Sequence, residues 1–203
     1  MINLPKLILA SGSPRRAEIL SFVGWEFEKH VADIDETEKP GEKPEDYVRR
    51  LALEKASAVA VDYENALVLG ADTIVVIENQ IIGKPKDLND ARRMLRLLSG
   101  KRHEVLTGIA LVRKAEKAET GRRGDEKQNS HSLVGLQRTG VEFAELSDEE
   151  IEFLVEKGEP LDKAGAYAVQ AQAALFIERI EGDYWNVVGL PINLLYELVK
   201  KIA

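Results

Sequence analysis

The chain contains 203 residues, of which 44% are hydrophobic, so it can bury the core of one large domain or two small ones. Acidic residues outnumber basic ones by 35 to 28, and the net charge of -7 argues against a surface that binds nucleic acid through its phosphates. The absence of cysteine excludes disulfides, thiol catalysis and cysteine-based zinc sites. No apolar stretch approaches the roughly 20 residues of a membrane span, so we expect a soluble, cytoplasmic protein that does not bind membranes.

The N-terminal segment predicts a strand, a loop and a helix. Residues 6–11 form a short apolar run, and Ser13 is a good N-cap for a helix that begins directly after it. Arg15 and Arg16 then fall in the first turn, where their positive charge opposes the helix dipole. They are either solvated side chains or groups that bind an anion, such as phosphate, at the helix start.

The middle of the chain alternates strand and helix signals. The long helix carries an apolar stripe, and a glycine-containing segment interrupts an apolar run. The predicted elements are a strand within 25–35 that runs into an acidic loop, a helix from Pro44 to about Val61, an apolar strand at 67–69 broken at 70–72, two further strands that end at Gly83, and a helix from Leu88 to Leu98.

Four charged residues of this region are candidates for chemistry. Asp72 follows the apolar strand, so its carboxylate either holds a metal or activates water at the mouth of a sheet, or bonds to the backbone of its own turn. Lys55 shares the apolar stripe of its helix and either snorkels to solvent or reaches an anion site. Lys84 lies in a Gly-Lys-Pro turn, and Glu36 lies in the acidic loop; simple surface positions are the alternative for both.

The C-terminal half completes an α/β pattern without a clear linker between domains. A polar insertion at 113–132, with no apolar residue larger than alanine, predicts a mobile hairpin extension. Ser147 and Glu150 form a capping box for another helix. The predicted elements are strands at 103–113 and 134–146, a helix from 147 to about Gly158, strands around a Glu-Gly-Asp turn at 181–183, and a helix that begins at Pro191.

Several familiar motifs are absent from the sequence. It has neither a P-loop nor a dinucleotide-binding fingerprint, and it lacks the G-x-S-x-G elbow of serine hydrolases. Its three histidines do not have the spacing of zinc ligands. The remaining inventory, carboxylates with arginines and lysines but no evident nucleophile, is typical of metal-assisted attack by water on a phosphate chain.

The sequence contains an ordered series of short motifs: Ser11-Gly-Ser-Pro-Arg-Arg16, Leu51-Ala-Leu-Glu-Lys55, Gly70-Ala-Asp-Thr73, Gly83-Lys-Pro85, Leu98-Ser-Gly100, Thr107-Gly108, the Asp162 to Gln170 segment DKAGAYAVQ and Asn186-Val-Val-Gly-Leu-Pro191. Together these motifs resemble the Maf family of nucleoside triphosphate pyrophosphatases. The resemblance implies a single Maf-like domain over residues 1–203. It further implies a mixed twisted sheet flanked by helices, similar to that of inosine triphosphatases, with a cleft for a nucleotide.

The resemblance also implies an activity and its residues. A nucleoside triphosphate would be hydrolysed between its α- and β-phosphates, with Mg²⁺ or Mn²⁺ held by Asp72 and Glu36. Asp72 is the implied general base, and whether it acts mainly as base or as metal ligand stays open. The implied phosphate-binding residues are Ser11, Arg15, Arg16, Lys55 and Lys84, and the residues at the three selectivity positions are Arg15, Thr73 and Gln170.

The selectivity residues are similar to those of the branch that hydrolyses dTTP and UTP. The sequence departs from many relatives at Gln170-Ala-Gln-Ala173, where glycines usually follow the glutamine. Two other functions stay open at this point: a nucleotide-binding regulator of cell division with little turnover, and a hydrolase that removes the terminal phosphate. The resemblance also allows a homodimer.

Overall fold

The computed structural model describes residues 4–114 and 130–202. Helices and strands are interleaved along the chain, and three short 3₁₀ helices lie between the fourth helix and the last strand. The helices are α1 (Pro14–Phe22), α2 (Pro44–Ala60), α3 (Leu88–Leu98), α4 (Asp148–Lys157), α5 (Tyr184–Val188) and α6 (Ile192–Ile202). The strands are β1 (Leu7–Leu9), β2 (Glu28–Lys29), β3 (Leu67–Ile77), β4 (Gln80–Ile82), β5 (Arg102–Lys114), β6 (Ser130–Phe143) and β7 (Ile177–Glu181), and the 3₁₀ helices span Pro160–Asp162, Ala164–Ala166 and Gln172–Leu175.

All seven strands belong to one mixed sheet, which confirms the predicted α/β class. The order is β2-β1-β3-β5-β6-β7, with β4 paired to β3. β1 runs parallel to β2 and β3, and the other pairs are antiparallel. Successive residues of a strand face opposite sides, so Leu7 and Leu9 pack with α1 and α6 while Ile8 packs with α2. The sheet is therefore covered by helices on both faces.

Two glycines allow α2 to lie very close to the sheet. A Cβ atom on Gly70 would lie 2.1 Å from the carbonyl oxygen of Ala52, and one on Gly108 would lie 2.3 Å from that of Val48. The predicted break of the strand at 70–72 is wrong, because β3 continues to Ile77 and pairs with β5 throughout. Gly70 thus marks a close backbone approach rather than a turn. As a result, Asp72 lies within a continuous strand and not at the end of one.

The other differences from the predicted elements lie in less regular segments. Only Glu28–Lys29 is a strand within the predicted 25–35, and 184–188 is the short helix α5 where strand signals were read. The predicted helices at 44–61, 88–98 and 147–158 agree with α2, α3 and α4 to within a residue or two. Of the predicted hairpin extension, the flanking strands pair as far as Lys114 with Ser130, and residues 115–129 lie outside the described part of the chain.

In the described ranges, no helix combines the length and apolarity needed to cross a lipid bilayer.

Candidate active site

A cleft of about 490 Å³ opens between β3 and the irregular segment that follows α4. The N-terminus of α1, helix α2 and the loop before it, the turn after β4, Val105 of β5 and the end of α5 also line it. All nine residues that the sequence analysis selected line this cleft: Ser11, Arg15, Arg16, Glu36, Lys55, Asp72, Thr73, Lys84 and Gln170. Residues scattered over 160 positions of sequence are thus brought to one place by the fold.

Arg16 connects three parts of the cleft. Its guanidinium is buried and donates to the carbonyl of Gly189 at 2.9 Å, to Ser11 Oγ at 3.0 Å and to Thr73 Oγ1 at 3.0 Å. Burial lowers the pKa of Arg16, and the nearby Asp72 carboxylate partly offsets this effect. These contacts use three of the five N–H donors of the guanidinium. The first-turn position of this arginine is therefore explained in part by its role in joining α1 to β3.

Arg15 pairs across the cleft with the segment that follows α4. It donates to Asp162 Oδ2 at 2.8 Å and to the backbone carbonyl of Asp162 at 3.1 Å. Lys163 is buried and donates to the other carboxylate oxygen at 2.6 Å and to the carbonyl of Glu159 at 2.5 Å. Burial alone would raise the pKa of Asp162, but hydrogen bonds from Lys163 and Arg15 outweigh it and lower the pKa. Asp162 thus holds two cations at the rim of the cleft.

Lys55 lies between the two carboxylates that were predicted to hold a metal. Its Nζ is 2.7 Å from Asp72 Oδ1 and 2.9 Å from Glu36 Oε1, and the side chains of Lys55 and Asp72 are each only 11% exposed. The stem of Lys55 belongs to the buried side of α2, so both alternatives hold in part: the stem is packed and the ammonium reaches the cleft. Burial raises the pKa of Asp72, although Lys55 and Arg16 act in the opposite direction.

The acidic loop that carries Glu36 is fastened to α2. Tyr47 donates its hydroxyl to the carbonyl of Glu36 at 2.8 Å. Arg50 donates to both carboxylate oxygens of Glu42, at 2.6 and 2.7 Å, and to the carbonyl of Thr37 at 3.1 Å. The hydrogen bonds from Arg50 lower the pKa of Glu42 to about 2. Burial raises the pKa of Tyr47 to about 12, and Asp72 and Glu36 add to this shift. The loop is thereby held with Glu36 facing Lys55.

The remaining predicted residues lie around the rim and back of the cleft. Thr73 Oγ1 is hydrogen-bonded to Thr107 Oγ1 at 3.0 Å and accepts from Arg16 at 3.0 Å, so its hydroxyl is held by neighbours on β5 and α1. Lys84 is exposed, and its turn is joined to the irregular segment by the hydrogen bond from Gly165 N to Gly83 O at 3.0 Å. Gln170 is exposed and lines the cleft from the irregular segment. Its amide is available to a ligand that enters the cleft.

Comparisons with known proteins extend over nearly the whole chain. The sequence profile of the Maf-like protein family matches residues 6–202. The chain belongs to the Maf family. Curated Maf relatives named dTTP/UTP pyrophosphatase include one from Symbiobacterium thermophilum, 49% identical over 98% of this chain and 95% of the relative. Another, from Bacillus cytotoxicus, is 48% identical over 98% of this chain and 96% of the relative. The predicted family is therefore confirmed.

A solved structure shares the fold of this Maf protein at low sequence identity. The Staphylococcus aureus Ham1 protein superposes with a TM-score of 0.50 and 17% identity, covering 98% of this chain and 100% of that one. This likeness concerns the fold alone, and it supports the mixed sheet flanked by helices that the resemblance implied.

The Maf cleft offers oxygen ligands for a divalent cation. One carboxylate oxygen of Asp72 and one of Glu36 both contact Lys55 Nζ, so the two carboxylates converge on one point. Mg²⁺ is typically bound by one or two carboxylates together with phosphates and water. Across the residues that the structure describes, no three Asp, Glu, His or Cys side chains form a metal-binding group. The residues therefore fit an ion that shares its ligands with a phosphate chain.

Sequence reasoning missed four residues of the Maf site. The Asp162 to Gln170 motif assigned no role to Asp162 or Lys163. The helix predicted from Pro44 to about Val61 assigned none to Tyr47 or Arg50. For Asp162 and Lys163, the sequence offered one signal: two adjacent residues of opposite charge directly before Ala-Gly-Ala. The partner of Asp162 is Arg15, 147 positions away, which no local pattern could indicate.

Proposed function

We propose that this Maf protein is a nucleoside triphosphate pyrophosphatase that converts dTTP and UTP to the monophosphate and pyrophosphate with a divalent cation. The observation that carries the proposal is the ion cluster of Asp72, Lys55 and Glu36 in a cleft that also contains Arg15 and Arg16. The names of the relatives, at 48 and 49% identity over nearly the full chain, support the substrates. We further propose that the chain works as a single domain in the cytoplasm.

The basic residues of the cleft would bind and orient the triphosphate. Arg15, Lys55 and Lys84 offer charged donors, and residues at the start of α1 line the same space. As the bond between the α-phosphorus and its bridging oxygen breaks, negative charge builds on the departing pyrophosphate. Fixed cations stabilise that charge more than they stabilise the ground state.

Asp72 would position the attacking water and accept its proton. Its raised pKa brings the carboxylate closer to the range in which a general base works well, and its burial limits competing solvent. Bound Mg²⁺ or Mn²⁺ supplies Lewis-acid polarisation of the phosphate oxygens, with Asp72 and Glu36 as its protein ligands. The two oxygens of one carboxylate allow a contact to the ion and a contact to water at the same time.

Base selectivity is assigned in this proposal to Arg15, Thr73 and Gln170. Arg15 and Thr73 are held by Asp162 and Thr107, respectively, whereas the amide of Gln170 is exposed. Replacing this amide by a carboxylate removes its two N–H donors. Gln170→Glu should therefore weaken the preference for pyrimidine nucleotides, and an unchanged substrate profile would move the selectivity pocket elsewhere.

A panel of nucleotides tests the proposal. Purified protein is incubated with dTTP, UTP, CTP or 7-methyl-GTP and Mg²⁺ or Mn²⁺, and ion chromatography separates pyrophosphate from phosphate. We expect pyrophosphate from dTTP and UTP, and a loss of activity of about 10³-fold in Asp72→Asn, which should still fold as judged by circular dichroism. Phosphate as the product would indicate attack on the terminal group. Nucleotide binding without either product would support a regulatory role.

A further inference from the structure

The ammonium of Lys55 occupies the point at which a divalent cation would meet its two carboxylate ligands. Nζ contacts Asp72 Oδ1 and Glu36 Oε1 at 2.7 and 2.9 Å, and both residues line the cleft, one from β3 and the other from the loop before α2. A cation already holds both ligands in the protein without nucleotide. An incoming metal ion therefore has to replace a bound charge and cannot simply fill a vacant site.

We propose that Lys55 is an internal counter-cation that keeps the divalent site closed until a nucleotide arrives, and that it then moves from the carboxylates to the phosphate chain. This inference rests on the proposed function, because the exchange needs an anion in the cleft. Its consequence is that the protein binds the metal weakly alone and tightly as part of the metal–nucleotide complex.

The charges of the cleft support the exchange. Five cationic side chains line it, against three carboxylates: Arg15, Arg16, Lys55, Lys84 and Lys163 face Glu36, Asp72 and Asp162. A divalent ion alone would increase an existing excess of positive charge, and it would lie next to Lys55 in a partly buried site where charges are poorly screened. A triphosphate reverses this balance, because it brings enough negative charge to hold both the ion and the displaced ammonium.

The construction of Lys55 allows the movement. Its backbone is fixed in α2, within the turn from Ala52 to Ala56 that packs on the sheet at Gly70, whereas the four-carbon stem ends in a point charge that needs no particular orientation. A lysine can exchange one set of oxygen acceptors for another by rotating its stem. Arg16, with three defined hydrogen bonds from its planar guanidinium, does not have this freedom.

Manganese titrations without nucleotide test the first half of the exchange. The amount of free Mn²⁺ is followed by electron paramagnetic resonance at pH 8. Lys55→Met keeps the stem and removes the charge, and Lys84→Met is the matched control because it removes a cleft cation that does not contact the carboxylates. We expect Lys55→Met to bind Mn²⁺ at least 10-fold more tightly than wild type, and Lys84→Met to change binding less than threefold.

Two further variants locate the effect and guard against misfolding. Lys55→Gln should also tighten binding, and the Lys55→Met Asp72→Asn double variant should lose the gain. If Lys55→Met and Lys84→Met increase the affinity for Mn²⁺ equally, the cause is the net charge of the cleft, and the proposal is overturned. Tight Mn²⁺ binding by the wild type alone would overturn it as well. Circular dichroism melts confirm that each variant is folded.

The second half of the exchange is tested with a UTP analogue whose α,β-bridging oxygen is replaced by a methylene group. We expect the Kd of wild type for Mn²⁺ to be at least 10-fold lower with the analogue than without it. Mn²⁺ that is bound by the free analogue is measured separately and subtracted. The gain in Lys55→Met should be smaller. If wild type releases pyrophosphate from UTP but shows no such coupling, the exchange is wrong and the proposed function stands. If coupling is present without pyrophosphate release, the proposed reaction is wrong instead.

Discussion

The two walls of the cleft are built in different ways. The strand wall consists of β3 and α2 with the acidic loop, and it carries Asp72, Thr73, Lys55 and Glu36. The loop wall consists of residues 160–170, which contain two three-residue 3₁₀ helices and no strand. Long packed elements fix the first wall, whereas side-chain hydrogen bonds fix the second.

This difference separates two tasks. A general base and metal ligands need positions accurate to a fraction of an ångström, and a continuous strand under a closely packed helix supplies them. The loop wall reaches the same cleft through contacts such as Arg15 with Asp162, and His103 with Tyr167 at 2.8 Å. We expect changes in the strand wall to affect folding and chemistry strongly, and changes in the loop wall to affect mainly substrate binding.

The largest expected effect comes from Gly70→Ala in the strand wall. The new methyl group would lie 2.1 Å from the carbonyl oxygen of Ala52, so α2 must move away from the sheet. We expect the free energy of unfolding to fall by about 3 kcal/mol in urea titrations. Activity in the folded fraction should fall as well, because Lys55 moves with α2.

Gly83→Ala is the control for this change. Nothing lies within 4 Å of a Cβ built on Gly83, which is part of the turn beside the loop wall. Its unfolding free energy should stay within about 0.5 kcal/mol of wild type. Similar losses in the two variants would contradict the idea that close helix packing, rather than glycine itself, matters at position 70.

The helices were easier to predict from sequence than either wall of the cleft. Caps and apolar periodicity predicted α2, α3 and α4, because those signals are local. The predicted strand break at Gly70 is wrong because a glycine within a strand indicates either a turn or the close approach of another backbone. Only the position of α2 decides between these two. Asp162 received no role because its partner Arg15 is distant in sequence, and Lys163 contacts the cleft pair only through the carboxylate of Asp162. The roles of the nine selected residues remain predictions, although all nine line the cleft.

The next effect concerns pH and the hydrogen bond that joins β5 to the loop wall. His103 on β5 is buried against Tyr167, and burial lowers its pKa from 6.5 to about 4. Above pH 6.5 the folded and unfolded chains are both neutral at this residue. As the pH falls from 6.5 towards 4, only the unfolded chain takes up the proton, so stability is lost in that window, by about 2 kcal/mol at pH 4.5.

His103→Gln should remove this part of the pH dependence while keeping a polar partner for Tyr167. Unfolding free energies measured at pH 7 and pH 4.5 give the comparison. We expect the loss between these two values to be about 2 kcal/mol smaller in the variant than in wild type. The carboxylates titrate equally in both proteins. If wild type and the variant lose the same unfolding free energy between pH 7 and pH 4.5, His103 is also protonated in the folded state.

Arg50→Met should loosen the acidic loop without changing any group in the cleft. Arg50 ties the loop to α2 through Glu42 and the carbonyl of Thr37. Loss of such an outer contact to a metal-binding segment costs about 10-fold in metal affinity or activity. We expect the Mn²⁺ concentration for half-maximal activity to rise by about that factor. Arg93→Met, which removes an ion pair with Asp90 on α3, should leave it unchanged.

Asp162→Asn should produce the smallest effect, because it perturbs only the loop wall. The change removes the negative charge that holds Arg15 and Lys163 at 2.8 and 2.6 Å. A partly exposed ion pair contributes up to about 1 kcal/mol, so we expect KM for UTP to rise about fivefold while kcat stays within a factor of two.

The matched control is Glu152→Gln, which removes a carboxylate from an ion pair with Arg92 between α3 and α4, outside the cleft. Its KM should equal that of wild type. Raising the salt concentration should also shrink the difference between Asp162→Asn and wild type, because exposed charges are screened. A large fall in kcat with KM unchanged would give the opposite result: Asp162 would then act on the reacting centre, and the division of tasks between the two walls would fail.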